Sequence, residues 1–344
     1  MIRGLGAASG KPDARVRSPR AIRSPPSSVR KFEQEHSMAI HSRRLMTGIA
    51  AAVLASAASA QVQAFVASGK LHVIGSSGPD GVQLSALDGT VRVSGLGGTL
   101  VNGAPSATLT GIVGEIAVSL GGGDDFLMMT DSQTLAGVSI ELGGGDDTLF
   151  ATRNLIRGDW VLHSGAAGPG GDLLALAGAD QVGNVVLGSL FVVGNGLTLG
   201  LRGHTVSQDV VVNTGARNDK LLISGNNVAG SMVLQTRGGR DEIAFASEVG
   251  VAGNFVGGSL SIQAGAGDDL VHLGDVANPT NDVGSRSAIL AGVGADTVTV
   301  RNTLFHDRVV FRGGSHFDVL EAQALVFGNT YARGVVQHDF ESVQ

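Results

Sequence analysis

Apolar and polar residues alternate along short segments of this chain, and the segments recur. Leu127 and Met129, Leu174 and Leu176, Leu197 and Leu199, and Val298 and Val300 stand two residues apart, the spacing of side chains on one face of a β-strand. A second alternating run lies upstream of each, as in Val138/Ile140, Trp160/Leu162, Val185/Leu187, Val210/Val212, Leu260/Ile262 and Val309/Phe311. A lone apolar residue between the runs, at Leu135, Val182, Val206, Val228 and Leu304, supplies a third contact in each unit. Trp160 falls on an inward position and Phe126 and Phe150 on outward ones.

The two runs are separated by a glycine-aspartate turn, clearest in Leu142-Gly143-Gly144-Gly145-Asp146-Asp147-Thr148-Leu149. Its last acidic residue recurs as Asp80, Asp125, Asp147, Asp172, Asp219, Asp241, Asp269, Asp296 and Asp318, and Asn102 and Asn195 fill the two wide gaps as decayed copies. The steps then run from 22 to 28 residues. A unit of that length with three strand contacts predicts an all-β fold, a right-handed parallel β-helix (solenoid) of about eleven rungs over residues 61–344. No rung buries its own core, so stacking at roughly 4.8 Å supplies the stability.

Composition supports a folded chain, with 53 glycines mainly in turns, 43% hydrophobic residues and 8 prolines. Aromatic residues at 4% suit a narrow interior and argue against platforms for stacking bases. Near the N-terminus, Arg43-Arg44 leads into the apolar run Leu45 to Ala57 and the small residues Ala58-Ser59-Ala60. This is the pattern of a signal peptide over 38–60, cleaved before Gln61 and too short to span a membrane. Residues 1–37 read as a non-native or disordered extension, with translation starting at Met38. The expected location is secreted, either extracellular or at the cell surface. Of the 24 basic and 30 acidic residues, 10 and 3 precede Gln61, which leaves 14 against 27. Lys70 and Lys220 are the only lysines after the leader. Nucleic acid is thereby excluded as a partner and cations are favoured. The chain has no cysteine, so disulfides play no part, and no later segment is long and apolar enough for a membrane span.

The turn carries the candidate chemistry. The pattern x-Gly-x-Gly-x-Asp-x-apolar-x fits Leu120 to Met128, Leu142 to Phe150, Ala264 to His272 and Ala291 to Thr299. Glycines permit positive φ and let carbonyls face a common centre, and aspartate adds a hard anionic oxygen of the kind calcium takes. The turn resembles the hemolysin-type (RTX) calcium-binding repeat, Gly-Gly-x-Gly-x-Asp-x-apolar-x. That resemblance implies Ca²⁺ ligation by Asp125, Asp147, Asp269 and Asp296, with Asp124, Asp146 and Asp268 as further ligands. The family's repeat returns every nine residues, whereas here one turn occurs per rung, which implies calcium along one edge only. A broader resemblance is to secreted bacterial β-helix proteins of the adhesin type. The function expected is an exported, calcium-stabilised structural or adhesive surface module whose partner is a cell-surface glycan or protein.

Two alternatives stay open. Aspartates in such turns also accept backbone N–H bonds without any metal. Paired carboxylates, here Asp124/Asp125, Asp146/Asp147 and Asp268/Asp269, are also the tools of a carbohydrate-active β-helix enzyme, a lyase or glycoside hydrolase. No catalytic residue is assigned, because the pairs sit within the turns and no His-Glu-x-x-His, Gly-x-Ser-x-Gly or phosphate-loop lysine accompanies them. His163, His272 and His316 are scattered and read as surface strand residues. In the middle of the stack, Arg217 and Arg240 stand beside Asp219 and Asp241 as built-in counter-ions where the calcium pattern lapses.

Overall fold

The period-two runs become strands. Phe126–Thr130 buries Leu127 and Met129 and leaves the residues between them half-buried, and Asp172–Leu176 does the same with Leu174 and Leu176. The computed structural model describes residues 61–176, 183–246, 252–275, 280–322, 330–331 and 335–343, all in one compact unit, Ala39–Gln344. The leader expected over 38–60 and the stretch 1–37 lie outside the described residues. Every regular element among the described residues is a β-strand, and no helix there is long and apolar enough to cross a membrane.

The strands form two sheets of 13 and one of 8. The chain visits them in turn: Val138–Gly145 lies in the first sheet, Thr148–Thr152 in the second and Leu155–Ile156 in the third, after which Trp160–Ala167 returns to the first. Each strand pairs in parallel with its counterpart one pass later, as Val138 with Trp160 and Thr148 with Leu173. The architecture is β-helix-like. Leu127, Leu149, Leu174, Leu199, Leu221, Ile243, Val271, Val298 and Leu320 follow one another in register down the second sheet, and none is exposed to solvent. Each such burial is worth about 1.5 to 3 kcal/mol, and it is available only against the neighbouring pass. Trp160 is fully buried in the first sheet, as its position in the pattern implied.

The N-terminal end departs from the repeat. Gly81–Leu87 pairs directly and in parallel with Phe126–Thr130, so no rung lies between Asp80 and Asp125. The intervening segment folds as an antiparallel extension, Thr90–Leu96 on Gly81–Leu87 and Ser106–Thr110 on Thr90–Leu96. Asn102 is therefore not a decayed copy of the marker. It sits at φ 52° before Gly103, and its side chain bonds both backbone groups of Ala64. Asp88-Gly89 and Asn102-Gly103, with positive φ at both residues, are two-residue hairpin turns. They divert the chain sideways, and the antiparallel strands cover what would be an open sheet edge.

The third contact is partly as expected. Val206 and Val228 lie in its buried column, with Ile156, Val186, Val256, Val283 and Phe305. Leu135 is instead exposed, Phe305 and not Leu304 points inward, and Val182 lies outside the described residues. Val185 and Leu187 are exposed about the third-sheet strand Val185–Val186, and Leu190–Val193 is the first-sheet strand of that pass. The corner from second to third sheet takes either two residues, as Arg153 and Asn154, or a longer insert, as 246–254 and 274–280. Those inserts produce the longer steps after Asp241 and Asp269.

Candidate functional site

Each aspartate marker sits two residues before a buried apolar residue of the second sheet, as Asp125 before Leu127 and Asp147 before Leu149. Period two therefore turns the carboxyl inward with the leucine. Asp125, Asp147, Asp269 and Asp296 are all buried, as are Asp80, Asp172, Asp219, Asp241 and Asp318. The stacked carboxyls form a ladder. The backbone N–H of Asp80 donates to Oδ1 of Asp125 (2.7 Å), that of Asp125 to Asp147 (2.8 Å), and that of Asp147 to Asp172 (3.0 Å). After one interruption the series resumes from Asp219 through Asp241, Asp269 and Asp296 to Asp318, and Glu341 accepts from Asp318 at its end.

Only one oxygen of each carboxyl is used in this way. Oδ2 of Asp125, Asp147, Asp172, Asp219, Asp241, Asp269, Asp296 and Asp318, and Oδ1 of Asp80, are buried with no hydrogen-bond partner among the described residues. Burial, opposed by the accepted N–H and reinforced by neighbouring carboxyls, raises Asp125 to about 8. It likewise raises Asp147 and Asp296 to about 6, and Asp269 is raised as well. In the middle of the stack, the hydroxyl-bearing Ser164, Thr214 and Thr236 stand beside Asp172, Asp219 and Asp241. The positions equivalent to Ser164 and Thr236 are Leu142 and Ala264 where the calcium pattern is complete. The Thr236 hydroxyl also donates to the Ala264 carbonyl (2.7 Å), so it has no second proton for Asp241, which is raised to about 7 mainly by burial.

The glycines serve the stacking. A Cβ on Gly143 would lie 1.9 Å from the Gly121 carbonyl oxygen, and one on Gly145 would lie 2.2 Å from that of Gly123, with φ at 117° and 141°. Asp124 and Asp268 are exposed and Asp146 half-buried. Each accepts backbone N–H bonds from the next turn: Asp124 from Asp146, Asp146 from Gly170 and Gly171, and Asp268 from Ala295. The adjacent pairs thus divide, one carboxyl inward and one outward. Among the described residues no three His, Cys, Asp or Glu side chains gather to hold a metal. A cation on this edge would combine carboxyl oxygens of neighbouring rungs with turn carbonyls, and the unpaired Oδ2 atoms fit that role in chemistry.

Asn195 does not hold the marker position. Register aligns Asp172 with Leu197, whose N–H donates to Oδ1 of Asp219 (2.6 Å), so the column is broken by an apolar residue. Arg217 bridges this break. Its Nη1 donates to the carbonyls of Ala167 (2.9 Å) and Gly168 (2.6 Å), and its charge acts on Asp172 rather than on Asp219. The edge therefore already holds one cation on turn carbonyls. For Arg240 the bond shown is from its backbone N–H to Asn218 Oδ1.

A second buried ladder, at the corner leading into the third sheet, escaped the sequence reading. Asn154 Oδ1 accepts from Ser132 N–H, and the series continues through Asn184, His204, Asn226, Asn254 and Asn281. Each asparagine Nδ2 also donates to a carbonyl of an earlier strand, as Asn184 to Ala151 and Asn226 to Leu201. His204 is wholly buried, and desolvation drops its pKa to about 4. The available signal was an asparagine two places before the buried apolar residue, as in Asn184-Val185-Val186 and Asn254-Phe255-Val256.

No family model, no curated protein and no solved structure matches the chain.

Proposed function

We propose that residues 61–344 are an exported right-handed parallel β-helix of ten rungs and a partial eleventh, acting as a structural or adhesive surface module that calcium stabilises. Right-handedness follows from the twist of strands joined by parallel crossovers. The observation that carries the calcium reading is the column of buried carboxyls, each with one oxygen unpaired among the described residues. The two groups Asp125/Asp147 and Asp269/Asp296 are set apart by their complete glycine turn, whereas hydroxyls or Arg217 stand beside Asp172 and Asp219. Asp125, Asp147, Asp269 and Asp296 would hold the ion with turn carbonyls, and Asp124, Asp146 and Asp268 would face it from outside. A bound Ca²⁺ supplies positive charge and oxygen coordination, neutralising carboxylates that otherwise repel one another across the stack. The proposal assigns no catalytic residue. The partner is a glycan or protein of a cell surface.

The test is the thermal midpoint of the exported chain in calcium and in chelator, because a ligand of the folded state alone raises it by mass action. Calcium is expected to raise it and magnesium to do much less. Asp147→Ala and Asp296→Ala each lower the bound calcium, while Asp219→Ala leaves it unchanged. Equal midpoints in calcium and chelator remove calcium from the proposal.

A further inference from the structure

The turn between first and second sheets has one length almost everywhere: Val138 to Asp147, Val210 to Asp219 and Leu260 to Asp269 each span nine positions. Two adjacent rungs break the rule. Trp160, in register with Val138, is twelve positions from Asp172, and Leu190, in register with Trp160, is seven from Leu197. A turn three residues long in excess thus overhangs one that is two residues short. Between them opens a cleft of about 510 Å³ lined by Pro169, Gly170, Gly171, Gly196, Arg217 and Asn218, within the usual 300–1,000 Å³ of small-ligand sites.

Arg217 is held in place at this cleft. Asn195 Oδ1 accepts the N–H groups of Ala216 and Arg217 (3.1 and 3.2 Å), and Gly196 leaves room for the arginine chain, since a Cβ there would lie 3.1 Å from Arg217 Cδ. Nη1 is fixed by the Ala167 and Gly168 carbonyls. Nε and Nη2 have no hydrogen-bond partner among the described residues. A guanidinium anchored on one side and unpaired on the other presents a planar fork suited to a carboxylate.

We infer that this cleft binds a carboxylated sugar residue, with the carboxylate on Arg217 and the hydroxyls donating to carbonyls of the glycine walls, whose Gly170 and Gly171 N–H groups are already given to Asp146. The walls favour a hydroxyl-rich ligand over a peptide. Among the described residues they offer no apolar side chain apart from the ring of Pro169 to receive a peptide's own, and beyond Arg217 the remaining lining is main chain and the Asn218 amide. Among the described residues Arg217 is the only cation in the lining, which matches a monoanion. Of the neighbouring acids, Asp146 already accepts from Gly170 and Gly171, and Asp172, on which the Arg217 charge also acts, is buried. The chain's surplus of acids is screened over about 8 Å in physiological salt, whereas the guanidinium is in contact with the ligand. The inference does not depend on calcium.

The experiment is calorimetric titration of the full chain in EDTA with glucuronate, and with glucose and acetate as separate arms. Glucuronate binds saturably, and glucose and acetate bind roughly tenfold more weakly or not at all. Arg217→Gln weakens glucuronate by roughly tenfold or more. Because Arg217 also clips two turns together, Pro169→Trp serves as the second variant. It fills the cleft from an exposed position, abolishing binding while the thermal midpoint stays within about 2 °C, as expected for a surface change. Absence of saturable glucuronate binding, its persistence in either variant, or acetate binding as tightly as glucuronate overturns the inference.

Discussion

The backbone N–H of Asp125 donates to Oδ1 of Asp147 across 2.8 Å, and only 2% and 1% of the two residues reach solvent. A carboxyl that in isolation would be a surface ligand is here a rung-to-rung connector with one oxygen satisfied and one not. The stacking geometry, the pH response and the affinity for cations all meet at this pair.

Asp147→Asn keeps an oxygen acceptor for Asp125 and removes a buried charge, whereas Asp147→Ala leaves that N–H unpaired. In chelator at pH 8, the alanine variant is expected to lose about 1 to 3 kcal/mol and the asparagine variant much less. Urea denaturation of both decides it, and equal losses would show that the hydrogen bond is not what the column contributes.

The column makes stability pH-dependent when no metal is present. Folded-state values of about 8 for Asp125, 7 for Asp241 and 6 for Asp147 and Asp296 stand above the ordinary carboxyl value of 3.8. The folded chain therefore binds the extra protons, and the contribution is fully present below about pH 4 and lost as pH rises through 6 to 8. His204 has the opposite sign: its value falls to about 4 from 6.5, so its contribution is complete above 6.5 and lost towards 4. Between pH 6.5 and 8 the column acts without His204, and the urea midpoint in EDTA is expected to fall. A flat or rising midpoint across that window would contradict the buried-carboxyl account.

His204→Asn completes the asparagine ladder between Asn184 and Asn226 and removes a base that must stay neutral. The variant gains more at pH 5 than at pH 7.5, with a difference of about 2 kcal/mol from the linkage relation. Denaturation curves at the two pH values measure it, and an equal change at both would assign His204 a packing role alone.

Two glycines separate backbone need from mere tolerance. Gly145, at φ 141° with the Gly123 carbonyl 2.2 Å from its Cβ position, has no room for alanine, and Gly145→Ala is expected to cost roughly 3 kcal/mol or more by strain and displaced stacking. Gly200 lies within a strand with nothing within 4 Å of that position, so Gly200→Ala is neutral or gains about 0.5 kcal/mol. Thermal midpoints of the two variants test the contrast.

Much of the architecture can be read locally. Alternation at Leu127/Met129 or Val210/Val212 specifies a strand and its buried face, and the glycine-aspartate spacing specifies the pass length, because both depend on residues close in sequence. The inward direction of the aspartates is also contained in that alternation: a residue two places before a buried leucine shares its face.

Partner choice, in contrast, was decided by the tertiary structure. Whether Asn102 began a rung or a hairpin depended on Gly81–Leu87 pairing with Phe126–Thr130 across 45 residues, and whether Asn195 or Leu197 faced Asp219 depended on the register of neighbouring rungs. The asparagine ladder, the Arg217 clip and the cleft beneath the long turn likewise arise from groups 20 to 50 residues apart. Their contacts exist only once stacked strands satisfy one another's backbone hydrogen bonds, and a single rung contains none of those partners.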